Sequence, residues 1–83
     1  MKIIYSAWFK DTVGIEEEEI PLPAGVGTVG QLIDWLAARG PKYEAAFEFV
    51  EVVKVSVNKV LVRNDHPVME NDEVIFIPPI AGG

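Results

Sequence analysis

Hydrophobic positions recur along this chain at two spacings, and the change from one to the other marks out its elements. Between Lys2 and Trp8 the side chains alternate loosely, Ile3, Tyr5 and Ala7 on one face and Ile4, Ser6 and Trp8 on the other, as in an extended strand. A polar stretch from Lys10 to Gly14 interrupts the pattern, which resumes over Ile15 to Leu22, so a hairpin with a longer connection is predicted. From Val29 the spacing changes. Val29, Leu32, Ile33 and Leu36 fall at i, i+3, i+4 and i+7, one buried stripe of a helix whose other side carries Gln31, Asp34 and Arg39. Thr28 followed by Gln31 has the form of a capping box, and Gly40-Pro41 closes the segment, so the main helix is predicted over about residues 28 to 39. Trp35 lies beside the stripe as a packing residue. Lys42 to Phe49, with Tyr43 and Phe47 four apart, is predicted to make a second, shorter helical turn.

Strand alternation returns from Val52 to Val57, with Val53, Val55 and Val57 set against Lys54 and Ser56. Asn58-Lys59 then makes a tight turn into Val60 to Arg63, a second hairpin. Turns at Asn64 to Pro67 and at Glu70 to Asp72 lead to a last apolar strand, Glu73 to Ile77. The predicted order is strand, strand, helix, strand, strand, strand, an α+β protein. A sheet of four to five strands packed on one main helix buries these faces within a single domain over residues 1–83.

Composition narrows the function classes. The chain has no cysteine, so no disulfide or thiolate metal site is available, and any sulfur it carried would need an attachment other than a thiol. A net charge of −6 argues against nucleic acid as a partner and suits basic protein surfaces. No run is long and apolar enough for a membrane, and the N-terminal residues lack a signal-peptide pattern, so a soluble cytoplasmic protein is expected. Glu16 to Glu19 invites a metal reading, yet consecutive strand side chains point to opposite faces, and a solvated edge strand explains the run better. His66, the one histidine, reads as a turn residue with local hydrogen bonds, and Lys54, Lys59 and Arg63 as surface or docking groups. With no phosphate loop, nucleophile motif or metal-ligand cluster, the chain reads as a protein acted upon, binding no cofactor or metal of its own.

The last residues carry the positive signal. Pro78 and Pro79 each fix φ and remove a donor, so the strand is expected to pass into a stiff extended arm. Ile80 and Ala81 then give way to Gly82 and Gly83, whose missing Cβ atoms let a narrow channel close around the backbone. The reactive group at the tip of this tail, about residues 78 to 83, is the Gly83 α-carboxylate, a poor electrophile until it is activated, for example by adenylation.

Three segments, Asp65-His66-Pro67-Val68, Asn71-Asp72-Glu73-Val74 and Phe76-Ile77-Pro78-Pro79-Ile80-Ala81-Gly82-Gly83, resemble the small subunits of molybdopterin synthase. Val55-Ser56-Val57-Asn58, Val13-Gly14 and Thr28-Val29 add to the likeness. Those proteins are sulfur carriers with the ubiquitin-like β-grasp fold, a mixed sheet on one main helix. The resemblance implies that Gly83 is adenylated with ATP by a ubiquitin-activating-like adenylyltransferase and converted to a thiocarboxylate. Pro78 to Gly82 would thread into the large synthase subunit, where sulfur passes to the pterin precursor of the molybdenum or tungsten cofactor. It also implies partner contacts at Ser6, Lys10, Leu61 and Ile77, with Ser6 standing where relatives often have an aromatic residue. The alternatives are a ubiquitin-like protein modifier, a sulfur carrier for another pathway such as thiamine, and a plain β-grasp binding module.

Overall fold

The computed structural model describes residues 1–49 and 53–78. In chain order the elements are β1 (Lys2–Tyr5), α1 (Trp8–Val13), β2 (Glu17–Glu19), α2 (Val29–Ala37), α3 (Pro41–Ala46), β3 (Lys54–Val57), β4 (Val60–Val62) and β5 (Glu73–Ile77). The strands form one five-stranded sheet in the order β2-β1-β5-β3-β4. β1 and β5 are parallel and the other pairs antiparallel, so the sheet is mixed, as the resemblance implies.

The main helix forms as its stripe dictates. Thr28 is extended, and its Oγ1 accepts from the Gln31 amide at 3.2 Å. The return half of the box reaches one residue further back than the motif expects, Gln31 Oε1 accepting from the Gly27 amide at 2.7 Å. Val29, Leu32, Ile33 and Leu36 are all buried. They meet Ile3, Tyr5, Val55, Val57, Val74 and Phe76 from alternate positions of the three inner strands. Each such side chain contributes roughly 1.5–3 kcal/mol relative to exposure. An aromatic cluster fills the rest, with Phe47 edge-on to Phe76 at 4.9 Å and Phe9 at 5.6 Å from Phe47.

The first hairpin departs from the sequence reading. Instead of a strand to Trp8 and a polar connection, β1 stops at Tyr5 and α1 begins at Trp8. Ala7 turns the chain with φ 47° and ψ −119°, and Phe9 and Val13, four apart, are both buried, a spacing masked by the polar residues between them. Gly14 ends the helix in the left-handed region, its amide donating to the Lys10 carbonyl at 2.8 Å. The short second helix is α3, with Phe47 buried and Tyr43 packed against the core. The Asn58-Lys59 turn has both residues at positive φ, 52° and 70°, the two-residue hairpin geometry that matches strand twist. The start of the predicted third strand, at Val52, lies outside the described residues.

Candidate functional site: the open sheet face and the root of the tail

Strand register decides which side chains share the face left uncovered. With Ile3, Tyr5, Val55, Val57, Val74 and Phe76 turned into the core, the intervening residues of the same strands occupy the other side. Across it Ile4 stands opposite Ile75, Ile75 opposite Ser56, and Ser56 opposite Leu61, a row spanning β1, β5, β3 and β4. Ile77 lies on the same face, opposite Lys54. Ile4, Ile75 and Ile77 are half-buried and Leu61 is 63% exposed, whereas Ser56 is buried within the row. An apolar strip with a small polar centre, bordered by Lys2, Glu17 and Glu73, therefore crosses the sheet. Leu61 and Ile77 share this face, two strands apart.

The other two residues named for partner contact lie outside the strands. Ser6 lies at the end of β1, half-buried, and its hydroxyl donates to the Phe76 carbonyl at 2.8 Å, while its amide reaches the same oxygen only at 3.4 Å. The side chain thus supplies the last link between β1 and the strand that leads to the tail, and is committed inside the chain. Lys10 is carried by α1 and is exposed, with Glu16 at 4.0 Å as its carboxylate neighbour. Pro78 is half-buried after β5, and Pro79, Ile80, Ala81, Gly82 and Gly83 lie outside the described residues. Ile4 and Ile75 were not singled out from the sequence. Alternation already put Ile4 opposite to Ile3 and Tyr5, but only the parallel pairing of β1 with β5 makes it a neighbour of Ile75.

The acidic run is an edge strand, as its charges suggest, with one residue turned to other work. Glu17 pairs with Lys2 at 3.1 Å on the surface, but Glu18 accepts from the Tyr5 hydroxyl at 2.7 Å and from Arg39 at 2.8 Å. The Tyr43 hydroxyl approaches the same carboxylate at 3.4 Å. The Arg39 guanidinium also lies 4.7 Å from the Tyr43 ring and 5.1 Å from the Trp35 ring. Burial, reinforced by the hydrogen bond to Glu18 and its charge, holds the Tyr5 phenol far above its ordinary pKa. Tyr43 is raised as well, first by burial and then by the Glu18 charge. His66 Nδ1 lies 2.7 Å from the Pro67 carbonyl, the local contact expected of a turn residue.

Among the described residues, a five-stranded mixed sheet carries its helices on one face and an apolar strip on the other, the architecture of the ubiquitin-like β-grasp proteins. Within that class, residues 3–83 match the ThiS family model, and the chain belongs to that family. It is 34% identical to the molybdopterin synthase sulfur carrier subunit of Escherichia coli (strain K12), over 100% of this chain and 99% of that protein. A Pyrococcus furiosus chain assigned as molybdopterin converting factor, subunit 1, is 30% identical, with a TM-score of 0.74 over 95% of each chain. SAMP1 from Haloferax volcanii shares the fold at a TM-score of 0.75 and 21% identity, over 100% of this chain and 98% of that one.

Proposed function

We propose that this protein is the sulfur carrier of molybdopterin synthesis and that its chemistry takes place on Gly83. The observation that carries the reading is the end-to-end likeness to a molybdopterin synthase sulfur carrier subunit, which extends through the Gly-Gly tail. In this mechanism the Gly83 carboxylate attacks the α-phosphorus of ATP on an adenylyltransferase, releasing pyrophosphate. A sulfur donor then displaces AMP from the acyl carbon and leaves a thiocarboxylate. Its sulfur is a soft nucleophile, and the pocket that receives it belongs to the large synthase subunit. Once the sulfur has bonded to the pterin, water cleaves the bond between it and the Gly83 acyl carbon, leaving the sulfur on the pterin and returning Gly83 to the carboxylate. Glycine at positions 82 and 83 suits a narrow passage, since any Cβ would widen the chain at the reacting end. The apolar strip around Ile75, Ile77 and Leu61 supplies a flat surface for partners beside the strand that leads to the tail.

The test is mass spectrometry of the C-terminal peptide after incubation with ATP, the adenylyltransferase and a sulfur donor. A species in which sulfur replaces one oxygen, absent when Gly83 is deleted or the chain is extended by one residue, is expected. Sulfur transfer that continues at the normal rate without Gly83 refutes the mechanism. Isopeptide-linked conjugates, or rescue of a thiamine defect, would assign the tail to modification or to the thiamine pathway instead.

A further inference from the structure

Among the described residues, the turn that follows β1 carries a strained backbone conformation at the end of the sheet where β5 finishes. Ala7 at φ 47° and ψ −119° occupies a conformation that glycine adopts freely and alanine does not. It is held there by the Phe9 amide donating to the Ser6 carbonyl at 3.0 Å and by the Ser6 hydroxyl on Phe76. The result is that Trp8 opens α1 with its ring against the edge of Phe9, 5.2 Å between centroids, and remains 45% exposed. Because β1 and β5 run parallel, with Tyr5 level with Phe76, this turn and Pro78 leave the sheet at the same end. Trp8, three residues after Tyr5, therefore follows β1 at the end of the sheet from which the tail departs.

The length of the tail turns that placement into a contact. Five residues follow Pro78, and fully extended they span at most about 17 Å. A protein that encloses Gly83 must bring its pocket mouth against this end of the body. A large aromatic ring, half open on a rigid turn, is the kind of side chain that dominates such interfaces. Resting on the carrier reading, the geometry points to Trp8 as an anchor for the large synthase subunit, seated in an apolar socket at the mouth of the pocket that admits the tail. Ser6 and Ala7 are the positioning residues that aim it.

Full-length wild-type and Trp8→Ala proteins would be titrated against the purified large subunit, with oxidative labelling of tryptophan read by mass spectrometry in the wild-type complex. The expected result is at least a tenfold weaker Kd for Trp8→Ala. Sulfur transfer at saturating carrier should be unchanged, so that KM rises and kcat does not, and Trp8 should be protected on binding, with Trp35 as the internal reference. A Kd for Trp8→Ala within twofold of wild type overturns the assignment while leaving the carrier reading intact, as does equal labelling of Trp8 free and bound. The labelling arm decides the matter even if the alanine variant folds poorly. A wild-type chain that neither loads sulfur nor binds the large subunit would bring down both readings.

Discussion

Removing Glu18 tests whether the edge strand is tied to the helices by one carboxylate. In the folded protein Glu18 accepts the Tyr5 hydroxyl at 2.7 Å and Arg39 at 2.8 Å. The Arg39 and Glu18 side chains are only 30% and 14% exposed, so the pair is screened less than an ordinary surface bridge. A hydrogen bond to a charged partner contributes about 1.5–3 kcal/mol, and a buried hydroxyl left without an acceptor costs about 1–3 kcal/mol. Tyr5 is 1% exposed, so water does not take the place of Glu18 there. Glu18→Ala is therefore expected to cost about 3 kcal/mol, a large part of the roughly 4–12 kcal/mol that a chain of this size has in total. Chemical denaturation should show it as a lower midpoint at unchanged slope, and thermal melting as a drop of roughly 12–24 °C. A double-mutant cycle sharpens the test. Tyr5→Phe removes the donor, so in the Tyr5→Phe/Glu18→Ala protein no hydroxyl is stranded, and the double variant should be more stable than the summed losses by about 1 kcal/mol. A loss below about 0.5 kcal/mol for Glu18→Ala, the range of ordinary surface changes, or strict additivity in the cycle, would refute the account.

Tyr5 and Tyr43 both have folded pKa values raised above the ordinary phenol value, so the folded state keeps protons that the unfolded chain gives up. Their contribution is intact below pH ~10 and is lost as pH rises beyond it; tyrosinate absorbance of the folded protein should lag behind that of the unfolded chain, and ionisation of both tyrosines near pH ~10 in an intact fold would contradict this. Ser6→Ala leaves the Phe76 carbonyl with only the 3.4 Å amide contact and should lower stability by about 1 kcal/mol. Hydrogen exchange of β5 amides should rise in that variant, with Ser6→Thr restoring wild-type protection. Leu61→Asp, at an exposed position in the apolar strip, should leave the melting temperature within about 3 °C of wild type, while weakening binding to the large subunit at least tenfold.

The stripe Val29-Leu32-Ile33-Leu36, the Asn58-Lys59 turn and the opposition of Val55 and Val57 to Lys54 and Ser56 were all legible because each is a local rule acting within a few residues. α1 was not legible for an equally local reason. Only Phe9 and Val13 of its six residues are buried, and the turn that starts it depends on a positive φ at an alanine, for which sequence offers no signal. The Glu18 clasp escaped notice because its members come from β1, β2, the turn after α2, and α3, and nothing in the chain brings Glu18 and Arg39 together before the sheet has formed. Likewise the apolar strip needs the order β2-β1-β5-β3-β4, which places Ile4 beside Ile75 although they are far apart in sequence.

That strand order also bears on how a reactive terminus is presented. β5 is the central strand, hydrogen-bonded to β1 on one side and β3 on the other, and Val74 and Phe76 are fully buried. Such a strand opens only with the whole sheet, so the chain entering the tail is fixed in direction up to Ile77. Had the tail followed β2 or β4, its root would lie on an edge, where one ladder rather than two holds the strand and fraying would alter its aim. Two prolines directly after the central strand continue that logic in the sequence, since each restricts φ without needing a hydrogen-bond partner. Glycine at positions 82 and 83 carries no Cβ, which suits the enclosure by a partner's pocket that the proposed mechanism requires. On the proposed carrier mechanism the work would be divided: a root fixed by the central strand sets where the chain leaves the body, and the recipient's pocket holds the Gly83 end.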